Sequence, residues 1–208
     1  MLENQVLPAI IAQNQEELDR MLTRIMFANN IMLDLMDGEF VDSISLDFPM
    51  KLPYGKNYQL HMMTNDPLNR INNIPQQINT IILHIETLDD IERAIKKVKN
   101  DKYKIFIALN PKTPLKILKP YVEIIDGALI MTVTPGQYGA QFLPKQLEKV
   151  RKLREISNTL NIEVDGGMTD KTIGLAISAG ANMIASGSFI MKSSNPKESY
   201  DKLRMFFK

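Results

Sequence analysis

Two aspartates at the ends of apolar runs carry most of the chemistry this sequence could perform. Residues 32–38 read Met-Leu-Asp-Leu-Met-Asp-Gly, and Asp34 interrupts an apolar run that reads as a strand over residues 30–36. Asp165, followed by Gly166 and Gly167, closes a second apolar run over residues 161–164. A carboxylate buried without a partner is costly, so one set in an apolar strand has a metal, a proton or a task. Two of them at the ends of parallel strands suit general acid/base catalysis. Asp37, next to Gly38, fits turn support as readily as catalysis.

The two histidines of the chain occupy equivalent places, His61 late in the third apolar run and His84 late in the fourth. Strand alternation puts Met32, Asp34 and Met36 on one face, and His61 on the face of Met63. If those faces line one interior, Asp34, His61 and Asp165 converge. One imidazole with two carboxylates suits a divalent ion such as Zn, Mn or Fe(II). His84 reads more simply as a structural histidine satisfied by its own hydrogen bonds.

Short apolar runs that alternate with amphipathic stretches must position these groups. The pattern predicts strands over residues 5–11, 30–36, 58–63, 80–85, 104–109, 127–133, 161–164 and 183–185. Helical spacing is clearest over 14–24, 88–100, 145–157, 170–179 and 196–207, with Thr169-Asp170 offering an N-cap to the fourth of these. Eight strands alternating with helices predict an α/β fold, a closed (β/α)₈ TIM barrel forming one domain over 1–208. No Gly-x-Gly-x-x-Gly opens a helix, which disfavours an open dinucleotide-binding sheet. Residues 38–57 contain Pro49, Pro53 and Gly55 and show little helical period. The second helix is therefore expected to be shortened or replaced by a loop.

Composition narrows the setting. The 208 residues suffice for one full hydrophobic core, and 25 basic against 24 acidic residues give a net charge of +1. That balance favours neither a nucleic-acid nor a membrane partner. With no cysteine, disulfides, thiolate zinc sites and thiol catalysis are excluded. The first residues lack the basic start and apolar core of a signal peptide, and no apolar run reaches membrane-spanning length, so a cytoplasmic protein is expected.

A second constellation points to phosphate. The glycine-containing loop Thr134–Gly139 follows the sixth run, Gly166-Gly167 the seventh and Gly187-Ser188 the eighth. In barrels of this type the loops after the last strands commonly hold phosphate through backbone N–H groups. Glycine lets the backbone approach the anion and adopt positive φ.

Taken in order, these stretches resemble the ribulose-phosphate 3-epimerase family. The resemblance rests on residues 33–41 (Leu-Asp-Leu-Met-Asp-Gly-Glu-Phe-Val), His61-Met62-Met63 and Asn110-Pro-Lys-Thr113-Pro114. It continues through Met131-Thr-Val-Thr-Pro135-Gly136, Val164-Asp165-Gly-Gly167 and Ser186-Gly187-Ser188. Hexulose-phosphate synthase and orotidine-phosphate decarboxylase are related barrels that carry a lysine in the strand-two motif, where this chain has Leu35-Met36. The resemblance implies interconversion of D-ribulose 5-phosphate and D-xylulose 5-phosphate, with Asp34 and Asp165 as acid/base groups. It implies a divalent metal on Asp34, His61 and Asp165, and Met36, Met63 and Met131 against the enediolate. Gly136, Gly139, Gly166, Gly167, Gly187 and Ser188 would surround the phosphate, and a homo-oligomer is implied.

The chain departs from the family pattern at several places. Met32 stands where the family has a second metal-binding histidine, which implies a weaker or altered metal site. Pro8-Ala9 replaces Pro-Ser, Ser43 replaces an asparagine, and Tyr138 and Ala140 replace glycine and glutamine. Two alternatives follow from these changes: an epimerase of another ketose phosphate such as D-allulose 6-phosphate, or a non-catalytic sugar-phosphate binder.

Overall fold

A computed structural model describes residue 2, residues 4–136 and residues 139–207. Among them, eight parallel strands form the barrel: β1 (Gln5–Ile10), β2 (Asn30–Asp37), β3 (Asn57–Met63), β4 (Ile78–His84), β5 (Lys104–Leu109), β6 (Gly127–Met131), β7 (Asn161–Asp165) and β8 (Met183–Ser186). Each pairs with its successor, and β1 pairs with both β8 and β2, which closes the ring. The expected strands are all present, with ends displaced by one or two residues. The sixth, expected to reach Val133, stops at Met131, where Thr132 turns its N–H and hydroxyl onto the Asp165 carbonyl.

The helices form where local signals agree with an apolar face turned onto the sheet. α1 (Gln15–Arg24) starts where Asn14 accepts the Glu17 N–H, and it buries Leu18 and Leu22. α2 (Pro67–Arg70) is a single turn. α3 (Ile91–Asn100) is capped by Asp90 and buries Ala94, Ile95 and Val98. α4 (Leu147–Ile156) buries Leu147, Val150 and Leu153. α5 spans only Ile173–Ser178, shorter than expected at its start. The Thr169 hydroxyl accepts the Lys171 N–H within a preceding turn, so it does not cap a helix beginning at 170. α6 (Ser188–Met191) is again a single turn, and α7 (Pro196–Arg204), capped by Asn195, buries Tyr200 and Leu203. Among the described residues, no helix is long and apolar enough to cross a membrane.

Between β2 and β3 a loop stands where a barrel ordinarily has a helix. Its residues Ile44–Ser45 pair antiparallel with Met36–Asp37 at the end of β2. Ser45 Oγ accepts the Ala12 N–H at 3.1 Å, the Leu46 N–H bonds the Ala12 carbonyl, and Leu46 and Leu52 are buried against the sheet. Proline at 49 and 53 denies this segment a continuous helical ladder, and the buried leucines supply the apolar cover that a helix would give.

Two apolar shells result. The larger fills the space between sheet and helices. The smaller lies inside the barrel and contains Leu7, Met32, Ile82, Phe106, Leu129 and Met183. Gly127 faces the Phe106 ring so closely that a Cβ there would lie 2.4–2.7 Å from three ring atoms. Gly127→Ala should therefore destabilise the fold by about 1–3 kcal/mol in a denaturant titration. Pairing it with Phe106→Leu should recover part of that loss; equal loss in the single and double variants would show that the ring is not the cause.

Candidate active site

The site is assembled by register. Asp34 on β2 and His61 on β3 are direct cross-strand partners, as are Met36 and Met63. Asp165 on β7 lies beside Met131 on β6 and Ala185 on β8. Closure of the ring brings the two arcs together, and His61 Nδ1 sits 3.0 Å from Asp34 Oδ1 and 3.9 Å from Asp165 Oδ2. His61 is fully buried and Asp34 is 5% exposed.

One narrow cavity of about 50 Å³ at the C-terminal end of the barrel is lined by Asp34, Asp165, Met36, Met63 and Met131. Its walls include Gly136, Gly139, Gly166, Gly167, Gly187 and Ser188, together with Ala9 and Ala140. All the residues expected to bind substrate therefore face one space. A larger cavity of about 720 Å³ lies at the opposite mouth, among Gln5, Asn30, Asn57 and Lys104 at the strand starts, and touches none of these residues. Chemistry, not volume, locates the site. Tyr138, a departure from the family pattern, lies outside the described residues.

Glycine is required by the shape of this cavity at two positions. Gly166 has φ of 108° and a Cβ there would strike the Val133 side chain at 2.4 Å. Gly167 has φ of 67° and would meet Phe142 at 2.9 Å. Both leave backbone, rather than side chain, facing the cavity.

The electrostatics separate the two carboxylates. Burial and the nearby Asp34 charge push the Asp165 carboxyl up to about 7, while His61 and the Gly166 N–H pull the other way. Such a group is poised to hold a proton near neutrality. Asp37 behaves differently: burial opposes its charge, but the N–H groups of Phe40, Asn65 and Glu39, with Arg70 nearby, outweigh it and hold it below the usual carboxylate range. Its Oδ1 accepts from Glu39 and Phe40 and its Oδ2 from Asn65, so it braces the turn after β2.

Three buried groups, His84, Glu163 and Gln59, and the exposed Glu86 form contacts that a sequence reading does not reveal. His84 is hydrogen-bonded at both ring nitrogens, as expected of a structural histidine, and one of its partners is the site's own His61, with the Nε2 atoms 2.9 Å apart. Burial above all lowers its pKa to about 4, so it is neutral. Its Nδ1 lies 3.2 Å from Glu86 Oε2. Burial works against the Glu86 charge, yet bonds from His84, Thr113 and the Asn110 N–H hold its pKa at about 2. Below the cavity, Glu163 is fully buried, and with the Gln59 amide nitrogen turned toward it accepts at 3.0 and 3.2 Å. Burial raises its pKa well above normal, with the Asp165 and Asp34 charges adding to the effect. The alternation Asn161, Glu163, Asp165 along one strand face was the available signal for Glu163; for Glu86 there was none beyond its position two residues after His84.

A metal fits this donor set. Asp34, His61 and Asp165 each offer one ligand atom, and these atoms lie within 4.8 Å of one another. Two carboxylate oxygens and one imidazole nitrogen match the preference of borderline and hard divalent cations.

Comparison with known proteins identifies the family. The model of the Ribulose-phosphate 3 epimerase family matches residues 4–191. The ribulose-phosphate 3-epimerase of Schizosaccharomyces pombe is 31% identical over 98% of this chain and 94% of its own length. The cytoplasmic isoform from Oryza sativa subsp. japonica is 34% identical over 90% and 86%, and the Escherichia coli K12 enzyme 31% over 85% and 83%. Among solved structures, KGPDC from Streptococcus mutans, in a ligand complex, superposes with a TM-score of 0.71 at 17% identity over the full length of both chains. A 3-hexulose-6-phosphate synthase does so with 0.69 at 14%, covering 96% of this chain and 98% of its own. These distant likenesses show the TIM-barrel fold alone. The sequence relatives go further: the chain belongs to the ribulose-phosphate 3-epimerase family and is an isomerase of the epimerase class.

Proposed function

We propose that the protein interconverts D-ribulose 5-phosphate and D-xylulose 5-phosphate by proton transfer at C3 between Asp34 and Asp165. The observation that carries this reading is that both carboxylates, which line a cavity walled also by glycine backbone, converge on the buried His61 Nδ1. The names of the sequence relatives supply the substrate.

Inversion at C3 needs one group to take a proton from one face and another to give one to the opposite face. Asp34, ionised, takes the C3 proton, and the electron pair moves into the C2 carbonyl to give an enediolate. Asp165 holds the proton returned to the other face; in the metal-free protein burial and the Asp34 charge push its carboxyl up to about 7. In the reverse reaction the two exchange roles. Asp34, His61 and Asp165 would hold a divalent ion, Zn, Mn or Fe(II), which when bound stabilises charge developing on the substrate oxygens. Met36, Met63 and Met131 form an apolar wall that keeps water from the enediolate. Backbone N–H groups around Gly136, Gly139, Gly166, Gly167, Gly187 and Ser188 receive the phosphate, which fixes C3 between the carboxylates.

Asp34→Asn and Asp165→Asn should each lower kcat by about 10²–10⁴-fold in a coupled assay of xylulose 5-phosphate formation. Stripping the metal should abolish turnover, and restoring Zn, Mn or Fe(II) should return it. Solvent deuterium should appear at C3 of both ketoses. Turnover that survives either substitution would remove the two-carboxylate mechanism, and faster turnover of D-allulose 6-phosphate would reassign the substrate.

The acid form of Asp165 has a thermodynamic signature in the metal-free protein. Its folded pKa of about 7 lies above its ordinary 3.8, so between those values the folded state holds a proton that the unfolded chain has released. This stabilisation is complete below the ordinary value and is lost as pH rises through the folded one. The unfolding free energy of wild type minus that of Asp165→Asn should fall by about 1 kcal/mol per pH unit across this window. A difference independent of pH would show that Asp165 is ionised throughout.

A further inference from the structure

The contacts beneath the site fix a tautomer as well as a position. His61 and His84 meet through their Nε2 atoms at 2.9 Å, so one nitrogen donates and the other accepts. Glu86 decides which. Its Oε1 accepts the Asn110 N–H at 2.9 Å and the Thr113 hydroxyl, donors that suit an ionised carboxylate. A carboxylate only accepts, so His84 Nδ1, 3.2 Å from Glu86 Oε2, carries the proton. A buried neutral imidazole has one N–H, which leaves His84 Nε2 as the acceptor and makes His61 Nε2 the donor. His61 Nδ1 then turns a lone pair toward Asp34 Oδ1 at 3.0 Å and Asp165 Oδ2 at 3.9 Å. Three acceptors converging this closely require a cation among them, a metal ion or a proton.

We propose that Glu86 and His84 are positioning residues, a relay from the end of β4 that holds His61 with Nε2 protonated and Nδ1 open to a divalent ion. The metal part of this inference rests on the site reading above; the proton positions do not. The relay is anchored outside the cavity. Glu86 is tied to the segment after β5 through Asn110 and Thr113, and Lys149 of α4 donates to the Asn110 and Pro111 carbonyls at 2.9 Å, which fixes that segment. The Phe40 ring lies over His84 with centroids 4.7 Å apart and closes the remaining side.

Glu86→Gln tests this because it keeps the shape and inverts the logic. Its amide oxygen would satisfy Asn110 and Thr113, which turns the NH₂ toward His84 Nδ1. His84 must then accept there and donate from Nε2. His61 must accept at Nε2 and keep its own proton on Nδ1, where it closes onto Asp34 and occupies the metal position.

The experiment is nitrogen-15 NMR of the histidine rings in metal-free and zinc-loaded protein, with zinc affinity from chelator competition. With two histidines in the chain, their ring nitrogens cover the whole question. In wild type the His84 proton should reside on Nδ1 in both states; in Glu86→Gln it should move to Nε2, with zinc binding weaker by about 10–100-fold. A His84 proton on Nε2 in wild type overturns the relay, and so does a Glu86→Gln protein that binds zinc as wild type does. If the variant fails to fold, the wild-type spectrum decides alone. Zinc failing to bind wild type while His84 keeps its proton on Nδ1 would leave the relay standing and remove the metal from the proposed function.

Discussion

Everything at the active end of this barrel depends on holding two like charges in a nearly dry interior. Asp34 and Asp165 approach the same imidazole, and Glu163 lies one layer below on the same strand face as Asp165. Carboxylates so arranged cannot all be ionised without a compensating cation. The fold answers by dividing the charge. Burial and the Asp165 and Asp34 charges raise the Glu163 carboxyl well above the usual range beside Gln59, burial and the Asp34 charge push Asp165 up to about 7, and Asp34 lies 3.0 Å from His61 Nδ1. The asymmetry that stability demands is also what the proposed two-sided proton transfer would use. In the proposed reaction one aspartate would supply a proton to C3 on one face while the other removes the C3 proton from the opposite face.

The closed ring is what makes this possible. On a flat sheet β2 and β7 would stand far apart, and each carboxylate would find its own solvent. Curving eight strands into a barrel converts distance along the sheet into proximity across it, so Asp34 and Asp165 meet without adjacent strands carrying both. Neighbouring strands supply what must be rigid instead. Asp34–His61 and Met36–Met63 are register pairs of β2 and β3, locked by the ladder itself. The groups that must reach each other across the mouth are fixed by strands, and the glycine turns that would receive a phosphate follow strands six to eight.

Much of this was legible in the chain because period-two alternation reports faces. Met32, Asp34 and Met36 must share a side, and an apolar strand with one aspartate advertises a buried charge. The strand count and the glycine turns then pointed to the barrel and the place of a phosphate. What alternation cannot report is which side chains touch across strands. His84 reads as a structural histidine because its partner His61 belongs to a different strand, and Glu86 carries no signal beyond its place two residues after His84. Their contact is a product of β3–β4 pairing, which sets His61 beside Ile82 and lets the longer reach of His84 close the gap. Gln59 and Glu163 were hidden for the same reason: they meet across the barrel, from β3 and β7. Helix starts were missed where a turn and a cap use the same residues, as at Thr169.

The loop that replaces the second helix has a direct bearing on this arrangement. A helix packed on the outside of the sheet would support the middle of β2 through apolar contact. The loop instead grips its end. Ile44–Ser45 adds an antiparallel pairing to Met36–Asp37, the Gly38 N–H bonds the Ser43 carbonyl, and Asp37 gathers three N–H groups around the same turn. Met36, Val41 and Met63 form a side-chain cluster with Ile11 and Phe40 against it, and its Met36, Met63 and Ile11 line the same cavity as the carboxylates. Phe40 continues from there onto His84. Supporting the strand at its tip rather than its flank restrains the residues nearest the chemistry. It does so with hydrogen bonds whose geometry is more exacting than apolar packing. The proline-rich composition of residues 38–57 is thus consistent with a precise site: those residues cannot make a helix, and the turn they make instead fixes both the apolar wall and one side of the histidine relay.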